Sequence, residues 1–182
     1  KRSEAEQEDK FRRLIVTYDF LVQKHKLSAK AGYFQEKQKY EDPQIALIAQ
    51  NNFNTLLGEL SYALRINNNH ALEIANTNTF TEAKSKSYKG AQTLFRTAIS
   101  AAYKYEKKKL TIQSSLREEF VNGKLLAPTA FLGAEFKSNQ SLLLKAKITR
   151  DFRLPTLNDL YWSPGGNPDL LPEQGWSEEI GL

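Results

Sequence analysis

The 182-residue chain contains no cysteine, no methionine and only two histidines, His25 and His70. Without cysteine there is no disulfide, no thiolate-held zinc, no iron–sulfur cluster and no thiol nucleophile. Two histidines leave little from which to build a His-ligated metal centre. Long apolar runs are missing as well. No stretch approaches the roughly 18 apolar residues that mark a spanning helix, and mean hydropathy is -0.57. Phosphate-cradling loops and nucleophile elbows are also absent. The adjacent carboxylates Glu118-Glu119 and Glu178-Glu179 fall on opposite faces if they lie in strands, which disfavours a paired acid/base site. The expectation is a protein that is not an enzyme and uses neither cofactor nor metal.

What is present is charge, and it is scattered. The net charge is +5 and the pI about 9.3, but the basic residues run along the whole chain. A soluble antiparallel β module with a basic face, binding nucleic acid or polysaccharide, is one reading of this charge. It needs stacking aromatics beside the lysines. Here the aromatics alternate onto the opposite face, which argues against a nucleic-acid partner. The first ten residues, KRSEAEQEDK, hold no apolar core of a signal peptide. Position 1 is not Met, and Ile180-Gly181-Leu182 closes the sequence inside a strand-like pattern. The expectation is an internal piece of a longer protein, with residues 1–182 forming part of one β domain.

The dominant period is two. Leu14, Val16, Tyr18 and Phe20 alternate with Arg13, Ile15, Thr17 and Asp19. The same pattern recurs at Leu27–Tyr33, Leu56–Ile66, Leu72–Ile74, Phe95–Tyr105, Leu110–Leu116, Ala130–Phe136 and Leu142–Ile148. Alternation of this kind predicts strands with one apolar and one polar face. A helix over Arg96–Lys108 or Phe53–Arg65 is the alternative, and the aromatic spacing fits it less well. Short polar turns are expected at Gln23–Lys26, Asn67–His70, Glu106–Lys109 and Lys137–Gln140, where either histidine is solvated. Longer irregular segments are expected at Lys39–Asn54, Phe80–Thr93, Val121–Pro128 and Pro155–Gly175.

The fold class that follows is all-β, an antiparallel up-and-down meander of about nine strands, each of roughly 9–13 residues. A soluble sandwich shows the same alternation. Two features favour part of a transmembrane β-barrel. Tyr18, Tyr33, Tyr62, Tyr103, Tyr105 and Phe136 sit near strand ends like an interfacial girdle. The other face, with Lys30, Glu59, Arg65, Glu73, Arg96, Lys104, Arg117, Glu119, Glu135, Lys145 and Lys147, is too charged for a core. Short turns at one end and long loops at the other complete the layout.

The last segment, DFRLPTLNDLYWSPGGNPDLLPEQGWSEEIGL, is the most individual. Pro155 stops a strand because it lacks an N–H. Pro164-Gly165-Gly166 signals a turn, and Asn167-Pro168 and Leu171-Pro172 fix further bends. The loop is therefore expected to be ordered. Arg153 is a candidate ion-pair partner of Glu173 or Glu179. Tyr161 and Trp162 are better suited to anchoring the loop than to ligand contact, and Asn167 to forming a turn.

In this segment the chain resembles the TonB-dependent outer-membrane transporters. The resemblance lies in Arg153, Pro155, Leu160, Tyr161, Gly166, Asn167, Pro168, Leu170, Pro172, Glu173, Glu179 and Gly181, in that order and spacing. It is closest to receptors for vitamin B12 (cobalamin) and ferric siderophores, and covers about the last thirty residues. The resemblance implies a barrel of about 22 strands with a plugged lumen, set in the lipid of a Gram-negative outer membrane. It implies a small-molecule cargo, a plug domain and a TonB energy-transducing complex as partners. It also implies no covalent chemistry. The motif residues, Trp162 among them, are expected to be structural and near the substrate path. The plug is not recognisable in this sequence.

Overall fold

The computed structural model describes residues 5–139 and 141–182. Within the described residues ten strands form a single sheet: β1 (Glu6–Val22), β2 (His25–Asp42), β3 (Leu47–Arg65), β4 (His70–Ser85), β5 (Gln92–Lys107), β6 (Leu110–Val121), β7 (Lys124–Leu125), β8 (Thr129–Lys137), β9 (Leu143–Arg153) and β10 (Glu173–Gly181). Among the described residues one short helix, α1 (Leu157–Tyr161), precedes β10. Each strand pairs antiparallel with the next, in the order β1-β2-β3-β4-β5-β6-β8-β9-β10, while the two-residue β7 folds back on β6. This is the expected meander, and the helical alternative for Phe53–Arg65 and Arg96–Lys108 is excluded.

The register keeps every apolar set on one face, because a one-residue slip moves a strand's side chains to the other side. Leu14 lies opposite Tyr33, Tyr33 opposite Leu56, Leu56 opposite Phe80 and Phe80 opposite Phe95. Lower down, Phe20, Leu27, Tyr62, Ile74, Ala101, Leu116 and Ala130 form a second continuous row. These side chains are not packed under a second layer. Leu14 is 63% exposed, Leu60 59% and Ile99 62%. A soluble sandwich covers its apolar face, whereas this face stands open across the sheet, as a lipid-facing wall does.

Three expectations are corrected. The strands β1 to β5 run 16 to 19 residues, longer than the expected span. The segment Lys39–Asn54 is not an irregular loop: β2 and β3 continue to a four-residue turn, Pro43–Ala46. Alternation in that stretch is hidden because Pro43 signals a break and the apolar residues run together at Ile45–Ala49 between polar residues, and a period-two signal needs contrast between successive positions. The first turn is tighter than expected. His25 pairs with Val22 inside the ladder, leaving only Gln23 and Lys24 as loop, with Gln23 at φ 52°. Lys108-Lys109 forms an equally tight turn between β5 and β6. Of the turn expected at Lys137–Gln140, Gln140 lies outside the described residues.

Candidate functional site

Between β9 and β10 the chain leaves the sheet and builds an ordered loop. Leu154 and Pro155 end the ladder, and Thr156 then caps α1. Its hydroxyl accepts from the Asp159 backbone N–H at 3.1 Å, while the Asp159 carboxylate accepts from the Thr156 backbone N–H at 2.8 Å. This reciprocal capping box satisfies two otherwise orphaned donors. Hydrogen bonding to the carboxylate from the Thr156 backbone N–H and from the Thr156 side chain, with a smaller contribution from the Arg153 charge, holds the Asp159 carboxyl below its usual range. The T-x-x-D pattern was available in the sequence as a signal for the helix.

After α1 the chain doubles back on itself. The Trp162 backbone N–H donates to the Asn158 carbonyl at 3.0 Å, the Gly166 N–H to the Trp162 carbonyl at 2.6 Å, and the Asn167 N–H to the Asp159 carbonyl at 2.8 Å. A Cβ on Gly166 would sit 2.6 to 2.8 Å from backbone atoms of Tyr161 and Trp162, so only glycine fits. Asn167 forms the turn itself, its side-chain oxygen accepting from the Asp169 N–H at 3.0 Å. Leu160 and Pro172 are half-buried, while Pro168, Leu170 and Trp162 stay exposed.

This loop docks on a second one. Tyr161 packs edge-on against Tyr88, with ring centroids 6.4 Å apart. The Tyr88 hydroxyl donates to the Asn158 side chain, and the Ser163 N–H donates to the Ser87 carbonyl at 2.8 Å. Tyr88 is only 6% exposed, and burial pushes its phenol pKa up. Neither Tyr88 nor Asn158 stands out in the sequence. No local pattern announces a contact between residues 70 positions apart.

Arg153 and Glu173 face each other at the ends of β9 and β10, 4.0 Å apart and 72% and 78% exposed. An ion pair this long and wet contributes little. Glu179 pairs instead with Lys147 at 2.8 Å, and Gly181 lies opposite Lys145 on β9. The motif residues therefore divide into two groups. Pro155, Leu160, Tyr161, Trp162, Gly166, Asn167, Pro168, Leu170 and Pro172 belong to the loop, while Arg153, Glu173, Glu179 and Gly181 belong to the strands carrying it.

The face opposite the apolar one is laced with ion pairs between neighbouring strands. Lys26 meets Asp19 at 3.2 Å, Lys30 meets Glu59 at 3.1 Å, and Lys145 meets Glu135 at 3.3 Å. The densest point is Glu119. It is 2% exposed and held between the Arg96 and Arg117 guanidinium groups. Burying a carboxylate is tolerable only with such compensation. The rest of this face mixes charged and polar side chains with scattered apolar ones such as Ile15, Leu21 and Phe131, a composition compatible with the inner wall of a wide barrel.

The histidines are the lower ends of this architecture. His25 Nδ1 lies 2.7 Å from the Tyr62 hydroxyl, and His70 contacts Tyr103 and Tyr105. These rings lie on the apolar face beside the tight turns, where an interfacial aromatic girdle is placed.

Sequence comparison agrees with this geometry. The family described as TonB dependent receptor-like, beta-barrel, matches residues 7–182. Among curated proteins, the vitamin B12 transporter BtuB of Photobacterium profundum is 39% identical over 51 residues, 28% of this chain and 8% of that protein. The vitamin B12 transporter BtuB of Vibrio vulnificus is 32% identical over 78 residues, 43% of this chain and 13% of that protein. The matched stretches thus span a small part of these relatives' length. With an open apolar face, an ion-paired opposite face and a proline-locked loop at the long-loop end, the chain belongs to the TonB-dependent receptor-like β-barrel family.

Proposed function

We propose that this chain is part of the wall and outer mouth of an outer-membrane transporter that imports a scarce nutrient into a Gram-negative cell. Its apolar face meets lipid, its ion-paired face lines the lumen, and the loop of residues 154–172 stands at the extracellular rim. In the whole protein a plug domain fills the lumen, and an inner-membrane TonB complex supplies the energy. The observation that carries the reading is the two-faced sheet, matched to the family along nearly its whole length. Lipid on one side and water on the other is the environment such a sheet satisfies.

Cobalamin is the cargo this reading favours, because both curated relatives are named vitamin B12 transporters. A ferric siderophore is the competing cargo within the same family. The chain is a passive wall in either case, and no covalent step is assigned to it. Uptake of labelled cyanocobalamin and of labelled ferric siderophores, in cells with and without the full-length gene, separates the cargoes. A gene-dependent cobalamin signal that disappears when the proton gradient is collapsed is the expected result. Loss of neither cargo on deletion, or recovery of the protein in the soluble fraction, defeats the reading.

A further inference from the structure

We infer that Tyr88 is a positioning residue for import: it ties the loop of residues 154–172 to the turn of residues 86–91, so that the two stand as one fixed post at the outer rim, set for cargo capture and unmoved while cargo passes. The inference rests on the transporter reading above and adds to it a part that does not move. The two loops belong to different hairpins. Residues 86–91 join β4 to β5, and residues 154–172 join β9 to β10. Strands β6 and β8 lie between, so β5 and β9 stand roughly 14 Å apart at ~4.8 Å per strand. Both intervening strands stop short. Val121 at the end of β6 lies opposite Arg96, and β5 runs on past that level to Gln92. β8 begins lower still, with Thr129 opposite Arg117. The contact at Tyr88 therefore bridges the tops of two shorter strands.

Burial marks this bridge as a joint. Among the described residues the buried apolar side chains are Ala83, Tyr88 and Ala98. Tyr88 is the large one, and it sits in a loop instead of under the sheet. A barrel wall has no second layer to pack on, so this contact is the molecule's nearest equivalent of a soluble core. Three ties hold it. The Tyr88 hydroxyl donates to the Asn158 side chain, the Tyr161 ring packs edge-on against Tyr88, and the Ser163 N–H donates to the Ser87 carbonyl at 2.8 Å. Side-chain and backbone bonds together fix both distance and orientation. Each partner is also closed on itself. In the short turn the Tyr88 N–H donates to the Ser85 carbonyl at 3.2 Å and the Ser87 N–H to the Ser85 hydroxyl at 3.1 Å. The Lys86 N–H, donating to the Gln50 carbonyl at 3.4 Å, carries the joint down onto β3. The capping box and the Gly166 turn close the longer loop.

Elements that move in a working cycle are drawn from the least buried parts of a protein. This joint is drawn from the most buried. Its fixed shape has a use. The same loop holds Trp162, Leu170 and Leu171 in the open, 40%, 44% and 83% exposed. Side chains presented on a rigid frame bind without a further cost of ordering. Loosening the post weakens capture, whereas the later steps, which use the plug and the lumen, keep their rate. That split separates positioning from a general structural role.

The test uses the full-length receptor in bilayers. Spin labels on Lys89→Cys and Asp169→Cys report the distance between the loops by double electron–electron resonance, and this chain has no cysteine of its own to compete for label. One narrow distance is expected, unchanged by saturating cyanocobalamin or ferric siderophore and broadened by Tyr88→Ala. In Tyr88→Ala the Kd for the cargo that the cells import rises about tenfold, with the maximal energised uptake rate unchanged. Tyr88→Phe, which loses only the hydroxyl bond, raises it about threefold. Ser87→Cys with Ser163→Cys, at positions whose backbones already meet, forms a disulfide that leaves uptake at the wild-type rate. Uptake blocked by that disulfide and restored by reductant overturns the inference. So does a label distance that shifts on cargo binding, and neither result needs Tyr88→Ala to fold. An unchanged Kd in a correctly inserted Tyr88→Ala receptor, or a maximal rate that falls as far as the affinity, overturns it too. Cells that take up neither cargo defeat the transporter reading and the role in capture with it. Normal uptake with a broad label distance in the otherwise unaltered receptor defeats the post alone.

Discussion

The two faces of this sheet are built from the same strands, one residue apart, and they are stable for opposite reasons. On one face Leu60, Ile99 and Leu14 stand more than half exposed, which in water would expose a large apolar patch. On the other, Glu119 sits 2% exposed among guanidinium groups. As a soluble fold this sequence is inside out: its greasy side is open, and the largest fully buried side chain among the described residues is charged. The difference teaches that burial from water, rather than burial from solvent of any kind, is what sorts the residues. In the proposed outer-membrane setting, lipid serves the apolar face as a core serves a soluble protein.

The largest test of that contrast is a matched pair of substitutions on one strand. Leu60→Arg in the full-length receptor places a charge in lipid and is expected to destabilise it by about 2–4 kcal/mol. Its neighbour Ser61→Arg points to the wet face and is expected to cost about 1 kcal/mol or less. Denaturant unfolding from bilayers measures both, and equal costs break the assignment of faces.

A smaller effect sharpens the contrast between wall and loop. Gly166→Ala drives a methyl into the Tyr161 and Trp162 backbone, an overpacking expected to cost about 1–3 kcal/mol. Gly58→Ala on the apolar face meets no atom within 4 Å and is expected to be near neutral. Limited proteolysis of the segment 156–170 reads the difference. Unchanged protection in Gly166→Ala contradicts the folded-back loop.

The smallest effect is one of pH. The Asp159 carboxyl is held below its ordinary value near 3.8, so its cap is fully present above that value. The contribution disappears as pH falls through the lower, folded-state value, where the acid is protonated and no longer accepts well. A 5-fluorotryptophan resonance assigned to Trp162 is expected to stay constant from neutral pH to about pH 4 and to shift below it. In Asp159→Asn the shifted position is expected at every pH. A resonance that moves near neutral pH instead points to a different titrating group.

Much of the fold is legible from residue order alone. Leu142, Leu144, Ala146 and Ile148 against Lys145 and Lys147 announce a two-faced strand, and β9 is that strand. Pro155 marks the end of the ladder, and Asn167 marks a turn. The stretch from Lys39 to Asn54 reads as loop and is strand on both sides of the turn at Pro43–Ala46, because its polar residues and the unbroken apolar run Ile45–Ala49 leave no alternation to detect. The first turn reads too wide at His25, since a polar residue at a strand end looks like a loop residue. The short β7, folded back through Asn122-Gly123, has too few residues to show a period.

The sequence by itself determined which side chains share a face, because the period of a strand is a local property of the backbone. It determined where the chain must bend, because proline and glycine restrict or free φ at single positions. Only the tertiary structure decided the rest. It brought Tyr88 against Tyr161 and Asn158, and buried Glu119 between two arginines. Each of these joins residues from different strands or loops, and strand register and sheet order alone set the distance between them.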